Sequence, residues 1–163
     1  MYGVQGNMNV LFINPYMPID DRLTIRHPPL GIGYLSTALK KAGHSVSFLD
    51  LTLLRKEQGA SMIKDFLESH DDVFVGITCV TQSYAIALSI AADIKRLAPS
   101  VSVMMGGPHV TFTAEETLRR HPQVDFIVMH DGEEATVALV NDIASNRREY
   151  YRIGGLDVYK RQS

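Results

Sequence analysis

The sequence predicts an α/β domain of the doubly wound class, and three observations carry that expectation. Five short apolar runs alternate with five segments of helical period. The runs are continuous rather than alternating, as strands buried on both faces of a parallel sheet must be. Glycine, proline and small polar residues gather at the carboxyl ends of four of these runs. With 163 residues, 45% hydrophobic and 21% charged, the chain has the length and apolar content for a single core.

Asn9–Asn14 (NVLFIN) is the first strand. Pro15–Pro28 follows as a loop that is long for a strand-to-helix connection, and long loops in compact domains are commonly functional. Pro28 and Pro29 suit the first turn of a helix that carries Leu35, Ala38, Leu39 and Ala42 on one stripe. Lys40 and Lys41 complement its C-terminal dipole, and Gly43 fits the left-handed position past its end. Ser45–Leu51 is the second strand, and Lys56–Ser69 a helix with Met62, Ile63, Phe66 and Leu67 inward. Val73–Cys79 is apolar throughout and therefore central. Gln82–Leu97 is a third helix striped by Ala87, Ile90, Ala91 and Ile94, ended by Pro99. Val101–Met105 is the fourth strand. Thr113 and Glu116 read as a capping box that opens a helix over Ala114–Arg120. Val124–Met129 is the fifth strand, and Asp131 with Glu134 reads as a second capping box for a helix reaching about Ser145. Five strands alternating with helices, joined by right-handed crossovers, fit the flavodoxin-like (Rossmann-like) strand order 2-1-3-4-5 with helices on both faces.

Composition removes several functions. A net charge of -2 and a pI near 6.3 give no general attraction to nucleic acid or to an anionic membrane. No apolar run is long enough to span a bilayer, and residues 1–8 lack the basic-then-apolar pattern of a signal peptide. The lone Cys79 excludes an internal disulfide and a cysteine-cluster metal site. A cytoplasmic protein without nucleic-acid or membrane partners is the expectation.

A doubly wound sheet brings the carboxyl ends of its strands to one side, where ligands bind. Four loops there are chemically unusual: Asn14-Pro15-Tyr16, Thr78 to Ser83, Gly106-Gly107-Pro108-His109, and His130 to Glu134. Gly106 and Gly107 end an apolar strand, so bare backbone faces the ligand edge; any Cβ there would hold a large group off. The plainer reading of each loop stands beside this one. Glycines make tight turns, Thr78, Thr81 and Ser83 cap helices, and Glu133 and Glu134 favour a helix N-terminus. Cys79 at a strand end behaves as a small hydrophobe. His109 and His130 lie on the same edge without a metal-binding spacing, so no metal ligand and no catalytic residue is assigned. No G-x-G-x-x-G follows the first strand and no Walker A motif is present, which disfavours dinucleotide and P-loop sites. A phosphate-receiving aspartate is missing after the third strand, where Thr78-Cys79 stands.

In order, the motifs VLFINP, PPLGIGYL, AGHSVSFLD, VGITCVT, GGPHVT and VDFIVMHDGEE resemble the N-terminal cobalamin-binding domain of class B radical-SAM enzymes. The resemblance covers residues 9 to about 145. It implies cobalamin over the carboxyl edge, with its nucleotide tail in a pocket lined by the loops after strands three and four. The site residues it implies are Asn14, Pro15, Tyr16, Leu30, Gly31, Thr78, Thr81, Gln82, Ser83, Gly106, Gly107, Pro108, His109, Asp131, Gly132 and Glu133. Thr81 and Ser83 would donate hydroxyls to the tail. Modules of the methionine-synthase and mutase type carry D-x-H-x-x-G after the first strand. Here Asn14 to Pro18 has no histidine, so cobalamin is expected base-off, with Tyr16 or Leu23 to His27 over the lower cobalt face.

Radical-SAM chemistry needs C-x-x-x-C-x-x-C, and one cysteine cannot supply it. S-adenosylmethionine and a [4Fe-4S] cluster are therefore expected only in a downstream barrel of a parent enzyme. That parent would be a methyltransferase or, like the anaerobic Mg-protoporphyrin cyclase, an oxidising enzyme. The expected domains are a disordered extension over 1–8, the cobalamin-binding domain over 9–146, and a linker stub with a tail over 147–163. Gly155 to Gln162 looks like translated adapter read-through. Two other readings keep the fold and change the function: a cofactor-free docking module, and a flavin or nucleotide binder.

Overall fold

The computed structural model describes residues 6–17 and 29–158; the expected lower-face segment Leu23 to His27 and the end of the tail lie outside them. The strands are β1 (Asn9–Asn14), β2 (Ser45–Asp50), β3 (Val73–Thr78), β4 (Ser102–Gly106), β5 (Phe126–Val128) and β6 (Leu156–Val158). The helices are α1 (Leu30–Lys41), α2 (Lys56–Ser69), α3 (Tyr84–Leu97), α4 (Pro108–Arg120) and α5 (Glu133–Ala144). The sheet order is β2-β1-β3-β4-β5-β6, and the first five strands are parallel, in the expected 2-1-3-4-5 arrangement.

Side chains alternate across the sheet and build a core on each face. Leu11, Ile13, Val75, Ile77, Val103, Met105 and Ile127 pack with α2, α3 and α4, and Cys79 joins them. Val10, Phe12, Phe74, Met104, Phe126 and Val128 pack with α1 and α5. The stripe on α3 is buried as expected, whereas Met62 on α2 stands 48% exposed, at the margin of the stripe. The amino-terminal edge is tied by polar side chains. The Met8 N–H donates to His44 Nδ1 at 3.3 Å, so Nε2 carries the proton and donates to Asn141 Oδ1 at 2.9 Å. Lys95 Nζ sits 2.6 Å from Asp125 Oδ2, the same oxygen that accepts from the Val103 N–H.

Both capping boxes expected from the sequence are absent. α4 starts at Pro108, five residues before the expected cap, because Gly107 makes the turn and proline is already set for the first helical position. Thr113 instead marks a kink inside α4 (φ -121°, ψ 18°). Its Oγ1 donates to the His109 carbonyl at 3.2 Å, and back-bonding of this kind bends helices. α5 is capped by Gly132 with no side-chain bond, and Glu133 and Glu134 supply negative charge to its first turn.

The stretch expected as linker and tail contributes a strand. β6 pairs antiparallel with β5, the Tyr150 ring meets Phe126 edge-on at 5.1 Å, and Ile153 packs on the α1/α5 core. Three residues are too few to show a period, which is why pattern alone does not find this strand. Deleting residues 154–163 removes this edge pairing, the bond from the Met129 N–H to the Gly155 carbonyl and the Leu156 side chain that packs on the α1/α5 core, and leaves Tyr150 and Ile153 in place. A loss of about 2 kcal/mol, or ~4–8 °C in melting temperature, is expected by circular dichroism; a much larger fall would make the strand integral to the fold.

Candidate functional site

Strand register explains where a ligand fits. On the α1/α5 face, Phe12, Gly76, Met104 and Phe126 fall in one row across β1, β3, β4 and β5. One row nearer the carboxyl edge come Thr78, Gly106 and Val128. Two glycines in adjacent rows leave a trough where side chains would otherwise meet the helices. It opens at the carboxyl edge as a cleft of about 380 Å³, walled by Gly31, Ile32, Tyr34 and Leu35 of α1 and by His130 to Glu133. That size suits a small-molecule pocket, roughly 300–1,000 Å³. A larger cleft of about 460 Å³, lined by Asn7, Asp71, Asp72 and Ser100, lies at the amino-terminal edge. Open parallel sheets bind ligands at the other end, which favours the first cleft.

The glycines around this cleft do different jobs. Gly107 has φ +119°, and a Cβ there would lie 2.5 Å from the Cys79 carbonyl oxygen. Its glycine is demanded by the turn, not by a ligand. Gly76 lets the Phe12 ring lie across the sheet, since a Cβ would come within 2.6 Å of it. Gly106 has no such constraint: a Cβ would meet only the Val128 carbonyl oxygen, at 3.6 Å. Around Gly31 there is nothing within 4 Å. Gly31 is the second residue of α1, where neither packing nor a positive φ calls for glycine. Gly33 is as open but does not line the cleft; among the glycines that do, Gly31 and Gly106 are the positions where bare backbone is left over for something else.

Of the residues expected at the site, Gly31, Thr78, Gly106, Gly107, Asp131, Gly132 and Glu133 line this cleft. The others do not. Asn14 Nδ2 donates to Asp50 Oδ1 at 3.0 Å, and Pro15 is buried. Tyr16 turns to α2, where its hydroxyl donates to the carbonyls of Arg55 and Lys56 at 3.2 and 3.1 Å, over Gly59. Ser83 is 2% exposed and exchanges hydrogen bonds with the Val80 backbone, so it has no hydroxyl to offer a tail. Thr81 Oγ1 lies 3.2 Å from His109 Nδ1, and that ring packs on Tyr84 at 4.4 Å. Gln82 and Pro108 are exposed outside the cleft, and Leu30 is 71% exposed at the start of α1. Sequence reasoning missed Phe12, Ile32, Tyr34, Leu35, Gly76, Met104 and Val128. Alternation within β3 and β4 would have put Gly76 and Gly106 on one face, but only the register shows them to be neighbours.

Cys79 takes no part. Its N–H donates to the Gly106 carbonyl at 2.8 Å, and burial pushes its thiol from 9.0 up to about 12. The neutral thiol is the form the fold favours. Its contribution to stability is full below about pH 9 and is lost as the pH rises toward 12. Burial also raises Tyr16 and Tyr150, with the same sign. Native protein is expected to resist thiol reagents at neutral pH, and Cys79→Ala to blunt the alkaline fall in melting temperature; rapid labelling of the folded domain would contradict this. Among the described residues, no group of three or more His, Cys, Asp or Glu side chains could hold a metal ion, and no helix is long and apolar enough to cross a membrane.

The fold is an open α/β sheet with a cleft of small-molecule size at its carboxyl edge. The profile of the B12 binding domain matches residues 20–140, and the chain belongs to that family of cobalamin-binding domains. An uncharacterized methyltransferase of Pyrococcus horikoshii is 38% identical over 79% of this chain and 27% of its own length. The anaerobic magnesium-protoporphyrin IX monomethyl ester cyclase of Cereibacter sphaeroides is 29% identical over 92% of the chain and 25% of its own length. The radical S-adenosylmethionine methyltransferase TsrM of Kitasatospora setae superposes with a TM-score of 0.81 at 21% identity, over 96% of this chain and 29% of that one. The chain thus spans about a quarter of the curated relatives it matches.

Proposed function

We propose that this chain holds cobalamin base-off at the carboxyl edge of the sheet, with the nucleotide tail in the cleft between α1 and α5. It would serve as the cofactor domain of a radical-SAM enzyme, a methyltransferase by the weight of its relatives. The observation that carries the reading is the pair Gly31 and Gly106, glycines at the cleft wall that packing and backbone conformation leave unexplained. The cleft also fits in character: Phe12, Ile32, Leu35 and Met104 make its deeper part apolar, while Thr78 and the His130 to Glu133 loop place polar groups nearer the carboxyl edge. The base-off state is supported by Asn14 to Tyr16, which carry no histidine and are engaged elsewhere. Cobalamin, when bound, supplies a transferable methyl group; the chain's own residues bind and orient it and exclude water. S-adenosylmethionine and a [4Fe-4S] cluster belong, on this reading, to the rest of the parent enzyme.

The test is to mix purified protein with hydroxocobalamin, desalt, and record the absorption spectrum and, after reduction, the electron paramagnetic resonance of cob(II)alamin. Retained cofactor without nitrogen superhyperfine splitting is expected. Cobalamin running free of folded protein would overturn the reading in favour of a cofactor-free docking module, and a split spectrum would overturn the base-off state.

A further inference from the structure

The deeper row of the cleft carries no hydrogen-bonding side chain. On the sheet face it offers Phe12, Gly76 and Met104, and on α1 Ile32 and Leu35, whereas Thr78 lies one row nearer the carboxyl edge, level with Gly106 and Val128. The buried Thr136 Oγ1 is 3.9 Å from Met104 Sδ and bonds to it as donor. Among the described residues every buried side-chain nitrogen and oxygen already has a partner. The polar lining residues lie nearer the carboxyl edge than that row. Thr78 ends β3, His130, Asp131 and Glu133 follow β5, and Tyr34 is 64% exposed.

We infer that this cleft selects the lower base of its cobamide, taking benzimidazolyl and phenolyl bases and discriminating against purinyl ones. The inference rests on the proposed seating of the nucleotide tail. An adenine base carries an exocyclic amine and two further ring nitrogens that water satisfies in solution. Inside this cleft they would be buried with no partner, which is penalised more heavily than a lost apolar contact is. A dimethylbenzimidazole presents methyl groups at the same edge, and a cresol ring presents one. Both meet the surface of Ile32, Leu35 and Met104 with nothing left unpaired. Cobalt coordination does not produce this ranking. Adenine leaves cobalt more readily than dimethylbenzimidazole, which by itself would help an adeninyl cobamide bind base-off.

The experiment measures the affinity of the purified chain for four corrinoids by fluorescence quenching: cobalamin, p-cresolyl cobamide, adeninylcobamide, and cobinamide, which has no nucleotide. Cobalamin and the cresolyl compound are expected to bind within a few-fold of each other, and adeninylcobamide at least on the order of tenfold more weakly. Adeninylcobamide binding as tightly as cobalamin, with both far tighter than cobinamide, would overturn the selectivity and leave the tail in the cleft. Cobinamide binding as tightly as cobalamin would overturn the seating itself. Cresolyl cobamide binding as weakly as adeninylcobamide would also overturn the inference, since it adds no polar atom to the interior.

Discussion

Gly107→Val is expected to destabilise the domain severely whether or not cobalamin is present. The backbone there has φ +119°, a conformation that side chains with a Cβ rarely adopt, and a branched residue tolerates it least. The new Cβ would also press on the Cys79 backbone, 2.5 Å from its carbonyl oxygen and 3.1 Å from its nitrogen. Neither atom can move freely, because the Cys79 N–H is bonded to the Gly106 carbonyl. Relief requires moving the end of β3 or the start of α4, and Val110 and Ala114 on α4 are both core. Strain and displacement together should cost about 3 kcal/mol or more, which is ~6–12 °C in melting temperature for a chain of this size. The measurement is thermal denaturation of the apo protein. A variant that melts like the parent would show that the turn is not what holds Gly107 as glycine.

That result would separate two residues which look alike in the sequence. Gly106-Gly107 at the end of an apolar run is legible as a bare-backbone turn on the ligand edge, and the structure keeps it there. Which glycine serves the turn depends on φ, and φ is invisible in a dipeptide. The parallel core was legible for a simpler reason. Strands such as Val73–Thr78 are buried on both sides, so a continuous apolar run suffices to find them. The capping boxes at Thr113 and Asp131 failed because the signal is a local spacing. Proline after a left-handed glycine sets the start of α4 more strongly than threonine does five residues later. The site was half legible. Loops at strand ends can be named from the chain, but the trough is made by Gly76 and Gly106 from different strands, and Phe12 and Met104 read as ordinary core. Tyr16 and Ser83 are implied by the resemblance, which carries no side-chain geometry, and in the fold both make local bonds outside this cleft.

Gly106→Val is the complementary experiment, with the large effect on binding rather than on folding. Gly106 closes β4, faces the α1/α5 side, and has room for a Cβ at ordinary contact with the Val128 carbonyl oxygen. Valine favours strands and glycine weakens them, so the apo melting temperature should stay the same or rise slightly. The side chain would project into the cleft between Thr78 and Val128, its neighbours in the row. A nucleotide tail sharing that space must be displaced or must push α1 and α5 apart, and overpacking of this kind costs about 1–3 kcal/mol, or about fivefold to more than a hundredfold in cobalamin affinity. Cobinamide has no tail to displace, so its affinity should be unchanged. That contrast removes general damage to the corrin-facing edge as an explanation. If cobalamin binds the variant as it binds the parent, the tail does not pass Gly106, and the cleft between α1 and α5 is not its seat. If both corrinoids weaken together, the valine acts on the edge as a whole and the same conclusion holds.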